Sequence, residues 1–170
     1  PNTLMNFRRK SCSLKPAVVS PVTGMSAKTS AGNPRPFNIM NKPVIHLIGH
    51  AHLDPVWLWD WREGLNEGLT TIRTILNLMD EFPDLTFTRG ETAIYRHIEE
   101  HDPETFRRLR RRVDEGRWEI VGGTLIQPDI NLPSTETLAR QFTRGQNYFR
   151  SRFGRTTRVA WMTDSFGHAA

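Results

Sequence analysis

Two histidines and an aspartate stand at alternate positions after a short apolar segment. Residues 44–49 are mostly aliphatic, and His50, His52 and Asp54 follow them. Because successive side chains of a strand point to opposite faces, an extended backbone would place all three groups on one face. Imidazole and carboxylate groups at this spacing suit a divalent cation of borderline softness, zinc before the others. The pattern predicts a metal site at the carboxyl end of a strand.

A single histidine at a strand end is more often a hydrogen-bonded structural residue than a metal ligand. Two histidines and a carboxylate within five positions favour a site, because burying three such groups without partners would be costly. Pro55 has no N–H to give to a ladder and therefore marks the end of the predicted strand. The local pattern predicts a site but does not name its reaction.

The composition is that of a globular protein. The chain has 170 residues, of which 37% are hydrophobic and 24% charged, enough for one domain of ordinary size. No apolar run approaches the roughly 20 residues of a membrane-spanning helix, so we expect no membrane association and a cytoplasmic location. The single cysteine, Cys12, excludes an internal disulfide and a thiolate-rich metal site.

The net charge of +5 comes from the amino-terminal tail. Residues 1–42 hold seven of the 23 basic residues and no acidic residue, so the remainder has more acidic than basic groups. We therefore expect no nucleic-acid partner. The tail has no apolar periodicity, and we expect a disordered extension. It resembles an organellar transit peptide, but the favoured interpretation is an upstream extension without a role, with Met25 or Met40 as the true start.

Strand and helix signals alternate along the rest of the chain. Four strands are predicted, at residues 44–49, 85–88, 118–121 and 159–162. Three helices are predicted: residues 66–81, a helix that Asp102 caps and Gly116 ends, and a helix that Ser134 caps and that buries Leu138, Phe142 and Phe149. Strands separated by helices favour a parallel sheet or barrel in the α/β class. The fourth strand leads into another carboxylate, Asp164.

Segments in three regions are similar to the α-mannosidases of glycoside hydrolase family 38. They are HAHLDPVW (residues 50–57), WEIVGG and QPDINLPS (118–123 and 127–134), and WMTDSFGH (161–168). The resemblance covers residues 44–170 and implies that residues 43–170 are the amino-terminal part of a catalytic domain. The implied fold is the parallel-strand, barrel-like (β/α)7 domain of this family, present only in part.

The resemblance also implies roles for individual residues. His52 and Asp54 match two ligands of one zinc ion, and Asp164 matches a residue that is both a ligand and the catalytic nucleophile. Trp57 matches an aromatic residue that packs against the sugar ring. His50 matches a position that does not bind the metal, which leaves it a supporting role. We expect His168 to lie near Asp164 or to support the turn after it, without binding the metal.

The implied function is a zinc-dependent retaining α-mannosidase that acts on terminal α-linked mannose of oligosaccharides. The family's remaining zinc ligand and its acid/base lie further along than Ala170, so we expect a fragment that is inactive alone. Two alternatives stay open. One is a metal-dependent amidohydrolase-like enzyme that uses the pair His50 and His52, and the other is a non-catalytic sugar-binding fragment.

Overall fold

The computed structural model describes residues 47–168, and the expected extension over residues 1–42 lies outside this range. The elements in chain order are α1 (Trp61–Glu81), β1 (Phe87–Arg89), α2 (Thr92–His101), α3 (Pro103–Asp114), β2 (Trp118–Ile120) and α4 (Thr135–Phe153). The two strands are parallel neighbours, with Phe87 opposite Trp118. The predicted α/β class is confirmed, and so are the strands expected near residues 85–88 and 118–121.

The core lies where the two strands meet the helices. The Phe87 and Trp118 rings are 4.9 Å apart, and both side chains are buried. The Trp118 indole N–H donates to the Tyr95 hydroxyl at 2.8 Å, and that hydroxyl donates to the Arg89 carbonyl at 2.9 Å. Burial raises the pKa of Tyr95, so the phenol stays neutral and keeps its proton to donate. This chain of bonds fixes α2 to both strands.

Helix α1 is longer than the sequence predicted. It begins at Trp61, five residues before the expected start, because the Asp60 side chain accepts a hydrogen bond from the Arg62 N–H and caps the extra turn. Its buried face includes Leu69, Ile72, Leu76 and Met79. The helix ends at Glu81, shortly before Pro83, as predicted. The extra turn brings the helix start close to the segment that carries Asp54.

The helix predicted after Asp102 is confirmed as α3. Asp102 Oδ1 accepts from the Thr105 N–H at 3.1 Å, and Pro103 is the first helical residue. The predicted end is displaced by one residue, since Glu115 is the C-cap and Gly116 follows it at φ 73°. Helix α2 was not predicted at all. It ends at His101 with Asp102 as its C-cap, so Asp102 caps both the end of α2 and the start of α3.

An Asp102→Ala substitution should make the stability of the protein less dependent on pH. Hydrogen bonds from the Thr105 hydroxyl and then its N–H lower the pKa of Asp102 from 3.8 to about 2, and Arg73 adds to this effect. The carboxylate therefore stabilises the fold above pH 4 and loses that effect as the pH falls towards 2. We expect the variant to unfold about 1–2 kcal/mol more easily at neutral pH.

Equilibrium urea unfolding of the full-length protein at several pH values would measure this difference, with Asp84→Ala as an exposed control. The difference between wild type and the Asp102 variant should shrink between about pH 4 and pH 2. A difference that stays constant over that interval would contradict the assignment.

The predicted strand at residues 44–49 is wrong for the part that the structure describes. From residue 47 onward the chain runs beside β1 with one backbone bond, from the Thr88 N–H to the Gly49 carbonyl at 2.8 Å. The next rung of a ladder would use the Thr88 carbonyl, but the His50 ring contacts that oxygen at 3.1 Å. A side chain thus takes the place of a backbone amide, and regular pairing stops.

The predicted strand at residues 159–162 is also wrong. A single backbone bond, from the Gly122 N–H to the Val159 carbonyl at 2.8 Å, joins this segment to the end of β2. Gly122 and Gly123 both have positive φ angles, of 64° and 83°. The chain after β2 therefore turns away where a longer ladder would continue.

Helix α4 begins as predicted, with the Ser134 hydroxyl accepting from the Thr137 N–H. Its buried face is narrower than predicted, because Phe149 is buried whereas Leu138 and Phe142 are only half-buried. Gly145 allows the helix to approach the turn after β2, since a Cβ there would lie 2.2 Å from the Gly123 carbonyl oxygen. The helix can therefore pack directly on the turn that precedes Gln127.

The helices have one apolar face each and are otherwise polar. In the range 47–168, no helix combines the length and the apolar character needed to cross a bilayer. The cytoplasmic location stays a prediction.

Candidate metal centre

Three predicted ligands lie together although they are far apart in the chain. His52 Nε2 is 3.4 Å from Asp54 Oδ1 and 3.6 Å from Asp164 Oδ2. One ligand atom from each residue lies within 4.8 Å of the others, and we call these residues the His–Asp–Asp cluster. The side chains are 27%, 42% and 51% exposed in the order His52, Asp54, Asp164, so the cluster opens to solvent.

The chemistry of this cluster fits a divalent cation. It presents one imidazole nitrogen and two carboxylates, the donor types that zinc accepts. Two carboxylates held this close repel each other, and a cation between them offsets the repulsion. The cluster leaves further coordination positions free, as a catalytic metal requires.

The segment that carries Asp54 is held by the start of α1. The Trp59 indole N–H donates to the Asp54 carbonyl at 3.0 Å. A Cβ on Gly64 would lie 2.2 Å from the Pro55 carbonyl oxygen, so the helix approaches this segment more closely than another residue would allow. The tight contact positions the carboxylate of Asp54 next to His52.

The segment that carries Asp164 is held by the loop between β2 and α4. The Asn131 side-chain amide donates to the Phe166 carbonyl at 2.8 Å, and the Asn131 N–H donates to Asp129 Oδ1 at 3.0 Å. Asp129 and Asn131 had no specific role predicted from the sequence. In the structure Asn131 fixes the loop after Asp164, and Asp129 fixes Asn131.

Gln127 and Thr163 also contact the cluster, although neither was predicted from the sequence to belong to the site. The Thr163 hydroxyl is 3.2 Å from His52 Nδ1, and the Gln127 amide lies against both residues. Neither residue type signals a metal site by itself. The position of Gln127 just before Pro128, inside a segment that resembles family 38, was the available signal.

His50 does not join the cluster. Its Nδ1 is 3.1 Å from the Thr88 carbonyl, and its Nε2 is 3.4 Å from the Trp161 indole nitrogen. A carbonyl only accepts and an indole N–H only donates, so Nδ1 carries the hydrogen and Nε2 accepts. Both ring nitrogens are thus occupied, and the ring joins β1 to the segment before Asp164.

A cavity of about 280 Å³ opens at the cluster, and the predicted sugar-binding residue lines it. Trp57 and Phe166 present rings to this space and are 64% and 76% exposed. Phe166 was not selected from the sequence, although it lies two residues after Asp164. His168 is exposed, and in the described part of the chain it makes no hydrogen bond to the cluster. Its supporting role stays a prediction.

The sequence of residues 42–170 matches the model of the glycosyl hydrolases family 38 N-terminal domain. The chain belongs to this family. The resemblance seen in its three segments is therefore confirmed, and membership in family 38 implies a metal cofactor in general. The His–Asp–Asp cluster is the group of described residues that fits one.

Several known proteins and a solved structure are similar to most of the chain. Alpha-mannosidase 2C1 from Homo sapiens is 34% identical over 127 residues, which are 75% of this chain and 12% of the relative. Alpha-mannosidase G from Dictyostelium discoideum is 33% identical over 133 residues, or 78% and 12% of the two chains. The crystal structure of an alpha-mannosidase from Enterococcus faecalis superposes with a TM-score of 0.61 at 23% identity, covering 70% of this chain and 13% of that one.

The chain thus spans about an eighth of the length of the relatives that it matches. At 23% identity, the likeness to the Enterococcus structure concerns the fold alone.

Proposed function

We propose that the full-length protein is a zinc-dependent retaining α-mannosidase that removes terminal α-linked mannose from oligosaccharides. The observation that carries this proposal is the approach of Asp164 to His52 and Asp54, over more than 100 positions of sequence, in a family 38 domain. The relatives named alpha-mannosidase support the choice of sugar.

His52, Asp54 and Asp164 would hold the zinc ion through one nitrogen and two carboxylate oxygens. When bound, the ion supplies positive charge beside the reacting sugar and a template for its hydroxyl groups. Neighbouring residues hold the two segments that carry the aspartate ligands in position. Trp59 holds the backbone of Asp54, and Asn131 holds the loop that follows Asp164.

Asp164 would act as the nucleophile. Its carboxylate is half exposed and faces the cavity, so one oxygen is available to attack an anomeric carbon. The new bond forms between this oxygen and the anomeric carbon, while the bond to the leaving oxygen breaks and that oxygen takes a proton from an acid. Water then hydrolyses the glycosyl ester, which restores Asp164 and gives overall retention. The resemblance assigns the acid to an aspartate in a later segment.

Trp57 and Phe166 would bind the sugar through their ring faces. Both rings line the cavity next to the cluster and are more exposed than large aromatic side chains in a core. The C–H face of a pyranose packs on an aromatic ring, whereas its hydroxyl groups need polar partners, which Gln127 and Asp129 offer at the same cavity.

The amidohydrolase alternative is disfavoured by His50. That enzyme class would use His50 and His52 together as metal ligands, but both ring nitrogens of His50 contact Thr88 and Trp161 instead.

We also propose that the parallel pair β1–β2 is part of a (β/α)7 barrel formed by residues from 43 onward. The parallel register and the likeness to the Enterococcus faecalis structure support this architecture.

Hydrolysis assays on the full-length protein test the function. We expect turnover of 4-nitrophenyl α-mannoside, loss of turnover after zinc is removed with a chelator, and recovery when zinc is restored. The matched control is 4-nitrophenyl α-glucoside, which differs mainly at one hydroxyl group. NMR of the first product should show the α anomer. Equal turnover of both glycosides, full activity without metal, or mannose binding without hydrolysis would contradict the proposal.

A further inference from the structure

Gln127 joins the two segments that contribute the cluster. Its Oε1 accepts from the backbone N–H groups of Asp164 at 2.8 Å and Thr163 at 2.9 Å. Two backbone donors require an oxygen opposite them, so this pair of bonds fixes the orientation of the amide. The Nε2 group then lies 3.0 Å from Thr163 Oγ1 and 3.3 Å from His52 Nδ1.

The hydrogen on His52 follows from its neighbours. Nε2 of His52 faces the carboxylates of Asp54 and Asp164, and a metal ligand needs the lone pair of that nitrogen. Nδ1 therefore carries the hydrogen when a metal is bound. Since Gln127 Nε2 is also a donor, it and Nδ1 cannot bond to each other, and both donate to the Thr163 hydroxyl oxygen, which has two acceptor sites.

We propose that Gln127 and Thr163 are positioning residues that hold the His52 ring with Nε2 free for the metal. Gln127 fixes the backbone of Thr163 and Asp164 through Oε1 and orients the Thr163 hydroxyl through Nε2. That hydroxyl in turn accepts from His52 Nδ1. One amide thus sets the ring orientation of one ligand and the backbone position of another. This inference rests on the proposed function, because it assumes that the cluster binds a metal.

Outer partners of this kind commonly change metal affinity by 10- to 100-fold. Titrating zinc into the metal-free full-length protein would measure the change. We expect Gln127→Leu and Thr163→Val each to weaken zinc binding by about 10-fold or more. Thr163→Ser keeps the hydroxyl and should bind zinc almost as wild type does. The double variant should lose little more than Gln127→Leu alone, since Gln127→Leu already removes the Nε2 bond that orients the Thr163 hydroxyl as well as the Oε1 bonds to the backbone.

The visible absorption spectrum of bound Co²⁺ gives a second measurement, which reports the ligand geometry. We expect it to change in Gln127→Leu and Thr163→Val but not in Thr163→Ser. Gln141→Leu is the matched control, because the Gln141 side chain accepts from the N–H of Ile126, one residue before Gln127, without touching the cluster.

Unchanged zinc affinity and an unchanged cobalt spectrum in the two test variants would overturn the positioning role. Thr163 is exposed, so Thr163→Val decides alone if Gln127→Leu does not fold, as circular dichroism would show. A different result would contradict the proposed function itself, namely a wild-type protein that binds no zinc. That result would also overturn the positioning role, because the role assumes that the cluster binds a metal.

Discussion

An Asp164→Asn variant of the full-length protein is expected to lose α-mannosidase turnover by about 10⁴-fold or more. The amide keeps the shape of the side chain and one oxygen near His52, but it is too weak a nucleophile to attack the anomeric carbon. The loss should be in kcat and should persist at saturating zinc. Steady-state kinetics with 4-nitrophenyl α-mannoside would measure it.

Asp54→Asn provides the comparison that separates attack from metal binding. Asp54 lies as close to His52 Nε2 as Asp164 does, but no attacking role is proposed for it. Added zinc should therefore restore much of its activity and none of the activity of Asp164→Asn. Asp84→Asn, an exposed carboxylate in the turn after α1, should behave as wild type. Zinc-dependent recovery of Asp164→Asn would show that this residue is a ligand only.

A Glu91→Ala variant is expected to destabilise the fold by about 3–5 kcal/mol. Arg89 is fully buried and Glu91 is 2% exposed, with Arg89 Nε 3.3 Å from Glu91 Oε2. Within the described residues, Nε and Nη2 of Arg89 have no hydrogen-bond partner, so the charge of Glu91 is the main compensation for the buried guanidinium. Without Glu91 a cation would stay unpaired in the core.

Equilibrium urea unfolding of the full-length protein would measure this effect. Glu100→Ala is the matched control, because it breaks an exposed pair with Arg96 on α2 and should change stability by less than about 0.5 kcal/mol. Arg89 Nη1 also donates to the Ala51 carbonyl at 2.6 Å, next to His52. The Glu91 variant should therefore also bind zinc more weakly. Equal stability of the two variants would contradict this account of the core.

Local signals predicted the elements that they govern directly. Asp102 and Pro103 predicted the start of α3, and Ser134 predicted the start of α4, because a cap depends only on nearby residues. Helix α2 was missed since Glu91 provides no side-chain cap and β-branched residues occur in its first turn. Strand pairing at residues 47–49 depends on which group reaches the Thr88 carbonyl, and no local pattern encodes that contact.

The candidate site was predictable in part. Alternation placed His52 and Asp54 on one face, and the family resemblance linked Asp164 to them; the structure brings the three together. Gln127 and Phe166 were missed because their types are common and only the folded chain puts them at the cavity. The same alternation grouped His50 with the ligands, but its ring instead reaches Thr88 and Trp161.

The separation of 111 positions between His52 and Thr163 has a consequence during protein synthesis. At about 5–20 residues per second, a ribosome needs roughly 5 to 20 seconds to add the residues between them. Throughout that interval His52 and Asp54 are in the nascent chain without the second carboxylate, Asp164, and without the Thr163 hydroxyl that orients the His52 ring. Helices α1, α2 and α3 can pack around β1 and β2 before Asp164 has been synthesised. We therefore expect the metal to bind only after the segment that carries Asp164 has been translated.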